Sequence, residues 1–253
     1  MCERAMVWYT ITPNIFHPNG SRWEKRRKVD DIRVAMYAQT FPQFWVLPAT
    51  KTKAFKYVGE AFPPLYARYL LLKFNASGKM LDMFAGIGGW SLGAILTGSI
   101  RYVEMVEIDR EKCKYLELNF KQLKKFTEGH VEPWDYNVVC LDVREYEPTE
   151  KFDVVVGSPP CEDFSKLRAL SKMFGVEIKG TLPLTSRYIE LVDKIKPKIA
   201  LYKNVYALKI KEFLEKHGYK VEKHNMFNII PQRRVRLIAY KTNNQLSILD
   251  RIS

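Results

Sequence analysis

Cysteine is scarce in this 253-residue chain. There are four, Cys2, Cys113, Cys140 and Cys161, and none stands in CxxC spacing. That pattern offers no zinc site and no disulfide framework, and it points to a reducing, cytoplasmic compartment. Long apolar runs are also missing. None approaches the roughly 18 residues that a membrane-spanning helix needs, and the N-terminus has no apolar signal-peptide core. No internal repeat or low-complexity tract is visible. Negative charge is in short supply: 28 Asp and Glu stand against 41 Lys and Arg, a net charge of +13. Such an excess speaks about partners rather than fold, and nucleic acid is the usual one.

What is present falls into two parts. Residues 1–60 hold Pro13, Pro18, Pro42 and Pro48, a basic run Arg22–Lys28, and the aromatics Trp8, Trp23 and Trp45, which look exposed. From Pro63 the pattern becomes regular. Pro63-Pro64 opens a helix over 65–74, proline being suited to a first turn. Strands are predicted over 79–84, 101–107, 137–141, 152–156 and 199–202. Helices are predicted from 91, over 111–125, 184–195 and 205–217. Segments 219–227 and 235–240 can pair as the last two strands. Alternating strands and helices predict an α/β fold, a doubly wound and mostly parallel sheet with helices on both faces.

Three strand ends carry chemistry. Asp82-Met83-Phe84-Ala85-Gly86-Ile87-Gly88-Gly89 follows the first strand and leads into a helix. Glycines there allow a tight turn and close backbone approach to a ligand. The second strand ends in Glu107-Ile108-Asp109, where an acid can accept from both hydroxyls of a ribose. The third ends in Asp142, able to accept from an adenine amino group. Together they outline a nucleoside pocket. The fourth strand runs into Gly157-Ser158-Pro159-Pro160-Cys161-Glu162-Asp163-Phe164-Ser165. Two prolines restrict the backbone there, so Cys161 is aimed out of the sheet edge as a candidate nucleophile.

With these residues in place, the chain resembles the cytosine-C5 DNA methyltransferases from about Arg27 to Tyr240. Phe84–Gly89 looks like that family's first motif, and Pro159–Ser165 like its nucleophile motif PCQxFS, with Glu162 in place of glutamine. Gly180-Thr181-Leu182 matches the segment after the family's mobile loop. Pro231–Arg236 matches its QxRxR motif. The resemblance implies an S-adenosylmethionine-dependent enzyme of DNA methylation and restriction-modification systems, with no metal. It implies cofactor contacts from Phe84, Gly86, Ile87, Gly88, Gly89, Glu107, Ile108, Asp142, Pro160 and Leu182. Cys161, Lys203, Arg234 and Arg236 are the implied catalytic group. Cytosine C5 is too weak a nucleophile to take a methyl group directly. A thiolate adding at C6 turns it into an enamine-like carbon, which splits one hard step into two. Cations lower a thiol pKa, and Arg234 and Arg236, alternating on one strand face, are placed to supply that field. The target base must be flipped out of its duplex, and the basic segment 166–179 is a candidate lid.

The chain departs from the resembled pattern in three ways. Gly59-Glu60-Ala61-Phe62-Pro63-Pro64 looks like the family's GNxxPP motif yet precedes the glycine loop, and Arg27–Leu47 looks like the segment that normally comes before it. The order is that of a circular permutation, which makes residues 1–60 the displaced C-terminal part with a vestigial recognition region and 61–253 the catalytic domain. Most of the target-recognition region is missing, so a partner chain, a very short specificity or an unusual substrate is implied. Finally, Lys203-Asn204-Val205 stands where the family has ENV, whose glutamate protonates cytosine N3. Lysine can donate but cannot accept from the exocyclic amine. A non-catalytic methyltransferase-like subunit and an RNA cytosine methyltransferase therefore remain as alternatives.

Overall fold

The computed structural model describes residues 8–9, 31–160, 183–230 and 232–242. In chain order the elements are strand β1 (Trp8–Tyr9), helices α1 (Ile32–Ala38), α2 (Lys51–Glu60) and α3 (Pro64–Lys73), then β2 (Gly78–Asp82), α4 (Gly89–Ile95), β3 (Ile100–Glu107), α5 (Arg110–Thr127), β4 (Asp135–Cys140) and β5 (Val154–Gly157). After these come α6 (Pro183–Ile195), β6 (Ile199–Asn204), α7 (Leu208–Lys216), β7 (Lys220–Asn225), β8 (Gln232–Arg233) and β9 (Val235–Thr242). Each regular element expected after residue 61 is present within a few residues of its predicted bounds.

Seven strands form one sheet in the order β4-β3-β2-β5-β6-β9-β7, while β1 pairs with β8 in a separate two-stranded ribbon. The pairs β2/β3, β3/β4, β2/β5 and β5/β6 are parallel. The last strand reverses: β9 lies antiparallel to both β6 and β7. Alternate residues of each buried strand serve opposite faces, as the two-residue period of a strand requires. Val103 and Met105 of β3 enter one hydrophobic cluster, and Val106 enters the other. In β9, Ile238 and Tyr240 join the first cluster while Leu237 and Ala239 join the second. Helices α1–α5 contribute to the first cluster, and α6 and α7 to the second.

Helix α5 shows how local sequence builds these layers. Asp109 caps it, accepting from the backbone N–H of Glu111 at 2.9 Å and Lys112 at 3.3 Å. Its buried residues Cys113, Leu116, Phe120 and Leu123 recur at helical spacing along one stripe.

The N-terminal helices share the core of the sheet's first face. Trp45, expected to be exposed, is 3% exposed and donates its indole N–H to the Ile87 carbonyl at 3.0 Å. Asn119 of α5 binds Val46 twice, accepting from its N–H at 2.6 Å and donating to its carbonyl at 3.0 Å. At the other end of the chain, Gln232 donates to Gln39 at 2.9 Å. Tyr66 and His224 share a 2.7 Å hydrogen bond.

The cysteines bring a correction. Cys113 and Cys140 form a disulfide across a sequence separation of 27. Parallel pairing of β3 and β4 sets Cys140 beside Glu107, and so near the first turn of α5. Sequence spacing does not reveal that proximity, and the expectation that the cysteines form no disulfide is corrected for this pair.

Candidate active site

The chain builds β2, β3 and β4 outward to one edge, then returns to place β5 beside β2. The carboxyl ends of β2 and β5 are therefore a topological switch point, where open α/β sheets leave a crevice for ligands. Both motifs singled out in the sequence end there: the glycine loop after β2 and the Ser158-Pro159-Pro160 run after β5.

Gly86 and Gly88 adopt left-handed φ values of 59° and 86°, which a side chain would strain. A Cβ built on Gly86 meets nothing within 4 Å, so the loop is open there, whereas one on Gly89 meets the Phe62 carbonyl oxygen at 2.0 Å. Beneath the loop, Asp82 is fully buried and accepts from the Ser91 hydroxyl at 2.8 Å. Burial pushes its carboxyl up to about 7; the hydrogen bonds from Ser91 and the Phe84 N–H only partly offset this.

Glu107 ends β3. One carboxylate oxygen accepts from the Gly86 N–H at 2.8 Å and the other from the Asp109 N–H at 2.9 Å. Each oxygen keeps a further lone pair, as gripping a ribose diol requires. Burial raises the Glu107 pKa, and the Lys112 ammonium is the largest opposing influence. Ile108 beside it is 63% exposed. Asp142 lies beyond β4 and binds the Arg144 guanidinium and backbone N–H, and the Arg144 hydrogen bond lowers its pKa. Phe84 approaches Gly157, 3.5 Å from where a Cβ would stand. The chemistry of these residues fits an adenosine group: one carboxylate with lone pairs to spare for a diol, a second carboxylate able to accept from an amine, and an open glycine loop.

The segment leading to Cys161 is held from two sides. Trp90 of α4 donates to the Ser158 hydroxyl at 2.8 Å. Asn204, at the end of β6, donates to the Pro159 carbonyl at 3.3 Å and to the Tyr202 hydroxyl at 3.0 Å. Pro160 is exposed. Cys161, the lid 166–179 and Leu182 lie outside the described residues.

Lys203 is buried at the end of β6, its ammonium 5.8 Å from the centre of the Phe62 ring. Phe62 in turn stacks on Trp90 with ring centres 4.3 Å apart. The GNxxPP-like segment therefore meets the glycine-loop helix and the KNV stretch at one point. Arg234 and Arg236 are not equivalent. Arg234 precedes β9, is 1% exposed, and donates to the Gly59 and Ala61 carbonyls at 3.3 Å each. Its guanidinium thus engages the backbone of the GNxxPP-like segment rather than an open face. Arg236 is partly exposed and donates to the Val235 carbonyl at 2.7 Å. Arg234 is buried before β9 begins, and Arg236 lies on a strand that runs between β6 and β7.

Residues 78–251 match the family model of the C-5 cytosine-specific DNA methylases. The chain belongs to that family. The Type II methyltransferase M1.HphI of Haemophilus parahaemolyticus is 28% identical over 186 residues, 68% of this chain and 47% of that protein. The Type II methyltransferase M.PspPI of a Psychrobacter species is 28% identical over 225 residues, 81% and 50% respectively. This methylase-family chain thus spans about half the length of these relatives. Among solved structures, a tRNA (uracil-54, C5)-methyltransferase of Pyrococcus abyssi in complex with S-adenosyl-L-homocysteine superposes with a TM-score of 0.43 at 18% identity, covering 76% of this chain and 38% of that one. That similarity is too loose to carry an argument.

Some site residues escaped sequence reasoning. Trp90 reads as an ordinary apolar helix residue, and Ser158 as a spacer before two prolines. Lys112 reads as one of many surface lysines on an amphipathic helix. Only Asn204 had a signal, its place in the KNV stretch. Among the described residues there is no cluster able to hold a metal ion, and no helix is long and apolar enough to cross a membrane.

Proposed function

We propose that this chain methylates C5 of cytosine in DNA, with S-adenosylmethionine as methyl donor and Cys161 as nucleophile. The match of residues 78–251 to the C-5 cytosine-specific DNA methylase family carries this reading. The cofactor, when bound, supplies an electrophilic methyl group. Glu107 binds its ribose, and Asp142 accepts from the adenine amine. Trp90 and Asn204 hold Ser158 and Pro159, and so aim the chain toward Cys161. The Cys161 thiolate forms a bond to C6 of the flipped cytosine, C5 takes the methyl group, and loss of the C5 proton expels the thiolate. Arg236 and Lys203 contribute positive charge to the nucleophile and the base.

The circular permutation belongs to the same reading. Three contacts support it: the Phe62 carbonyl against Gly89, Arg234 on Gly59 and Ala61, and Lys203 beside Phe62. They support residues 59–64 acting in the part that a C-terminal GNxxPP motif would play. Residues 1–60 then stand for the displaced part of the family and 61–253 for its catalytic part, with a second chain supplying target recognition. DNA as substrate sets the work inside the cell. One observation favours the non-catalytic alternative, the lysine at position 203 in place of the expected glutamate.

Transfer of a labelled methyl group from S-adenosylmethionine to duplex DNA and to tRNA tests the proposal. DNA should be labelled, and duplex carrying 5-fluorocytosine should trap a covalent adduct that Cys161→Ser abolishes. Labelling of tRNA alone would move the substrate to RNA. An adduct that survives in Cys161→Ser would overturn the choice of nucleophile.

A further inference from the structure

Asp142 heads a tight turn that follows β4. Its backbone carbonyl accepts from the Glu145 N–H at 2.9 Å and the Tyr146 N–H at 3.1 Å. Its carboxylate accepts from the Arg144 N–H at 2.9 Å, inside the same turn. The direction of that carboxylate is therefore set by where residues 143–146 lie. Val143 and Tyr146 are buried, and the Tyr146 hydroxyl donates to the Glu104 carboxylate of β3.

The turn's other anchor comes from α6. Arg187 donates through Nε to the Val143 carbonyl at 3.2 Å and through Nη2 to the Tyr146 carbonyl at 2.6 Å. Its side chain is only 11% exposed, and its charge is answered by Glu147 at 2.8 Å and Glu190 at 2.6 Å. A guanidinium holds its donors in one rigid plane, so both carbonyls of the turn are fixed at once, which a single ammonium cannot do. A chain of hydrogen bonds thus runs from α6 through Arg187 to the turn, and through the Arg144 N–H to the Asp142 carboxylate. Arg187 belongs to none of the motif segments legible in the sequence.

We propose that Arg187 is a positioning residue of the cofactor site: by fixing the 143–146 turn it aims the Asp142 carboxylate at the exocyclic amine of adenine, and so sets the site's preference for that base. This rests on the cofactor reading above.

The test is calorimetric binding of two ligands to the full chain: S-adenosylhomocysteine, and its inosine analogue, in which a carbonyl oxygen replaces the adenine amine. Wild type, Arg187→Met, Arg187→Lys and Asp142→Ala are compared, each first shown to be folded by thermal unfolding. An ionised carboxylate accepts from the amine and has nothing to accept from that oxygen. A charge-assisted hydrogen bond corresponds to roughly 10–100-fold in affinity, so the wild type should prefer the adenine ligand by at least about tenfold. Arg187→Met should lose most of that preference. Arg187→Lys keeps the charge without the planar fork and should lose it too, which keeps the proposal testable if Arg187→Met does not fold. A merely structural loss weakens both ligands by the same factor and leaves their ratio intact, and an intact ratio in a folded Arg187 variant would overturn the proposal. Asp142→Ala separates the two readings. If it keeps the wild-type preference, or if the wild type has none, the cofactor assignment of Asp142 fails. If it loses the preference while the Arg187 variants keep it, only the role of Arg187 fails.

Discussion

The carbonyl oxygen of Phe62 lies 2.0 Å from the point where a Cβ on Gly89 would stand. That approach seats the GNxxPP-like segment on the helix that follows the glycine loop. It also brings the Phe62 ring onto Trp90, and through Trp90 onto Ser158.

Gly89→Ala is therefore expected to push residues 59–64 away from α4. Overpacking of this kind costs about 1–3 kcal/mol, and the obstacle here is backbone rather than a yielding side chain. Thermal unfolding should show a lowered midpoint, and calorimetry a weaker affinity for S-adenosylhomocysteine. A variant that melts and binds like wild type would show that the contact is slack.

Asp82 should leave a signature in the pH dependence of stability. Its folded-state pKa is raised from 3.8 to about 7 by burial. Below pH 3.8 both folded and unfolded carboxyls are protonated, and the favourable contribution is fully present. Between pH 3.8 and about 7 the folded chain binds more protons than the unfolded one, so stability falls as pH rises; above about 7 the loss is complete. The total is about 4 kcal/mol at 1.36 kcal/mol per pKa unit. Denaturant unfolding from pH 4 to 8 should show this slope as the difference between wild type and Asp82→Asn. A flat difference would mean the carboxyl is ionised throughout.

The Cys113–Cys140 disulfide closes a loop across a separation of 27 residues. Chain entropy assigns such a cross-link roughly 3–4 kcal/mol. A reductant should lower the melting temperature of the wild type and leave that of Cys113→Ala unchanged. Equal sensitivity of both proteins would mean that the thiols are not paired in solution.

On the proposed function, Lys203 bears on the chemical step. Protonating cytosine N3 draws off electron density as the thiolate adds, and general acid catalysis of this type is worth about 10²–10⁴-fold. Lys203→Glu is expected to raise the single-turnover methylation rate by at least about tenfold, with little change in cofactor affinity. Equal and substantial rates for both forms would remove residue 203 from that role and direct attention to Glu162.

Much of this molecule was legible as local pattern. Cys113, Leu116, Phe120 and Leu123 recur at helical spacing behind an Asp109 cap, so α5 could be read directly. Alternation in 235–240 gave β9, and the glycine loop with Glu107 and Asp142 at successive strand ends gave the proposed nucleoside pocket. These features depend on near neighbours in the chain, and the residues themselves carry the signal.

Long-range partners were not legible. Trp45 looked like a surface aromatic until its indole found the Ile87 carbonyl. Arg234 looked like one of two alternating cations until its guanidinium met Gly59 and Ala61. Cys113 and Cys140 carried no spacing signal because parallel strand pairing alone brings them together. Gln39 and Gln232 meet across 193 residues of sequence. The sequence by itself determined the main strands and helices after residue 61, the family and the chemical groups at the strand ends. Only the tertiary structure decided how residues 31–62 join the rest, because a buried polar group must be satisfied by whatever the folded chain brings to it, and local periodicity records which side is buried but not what lies opposite.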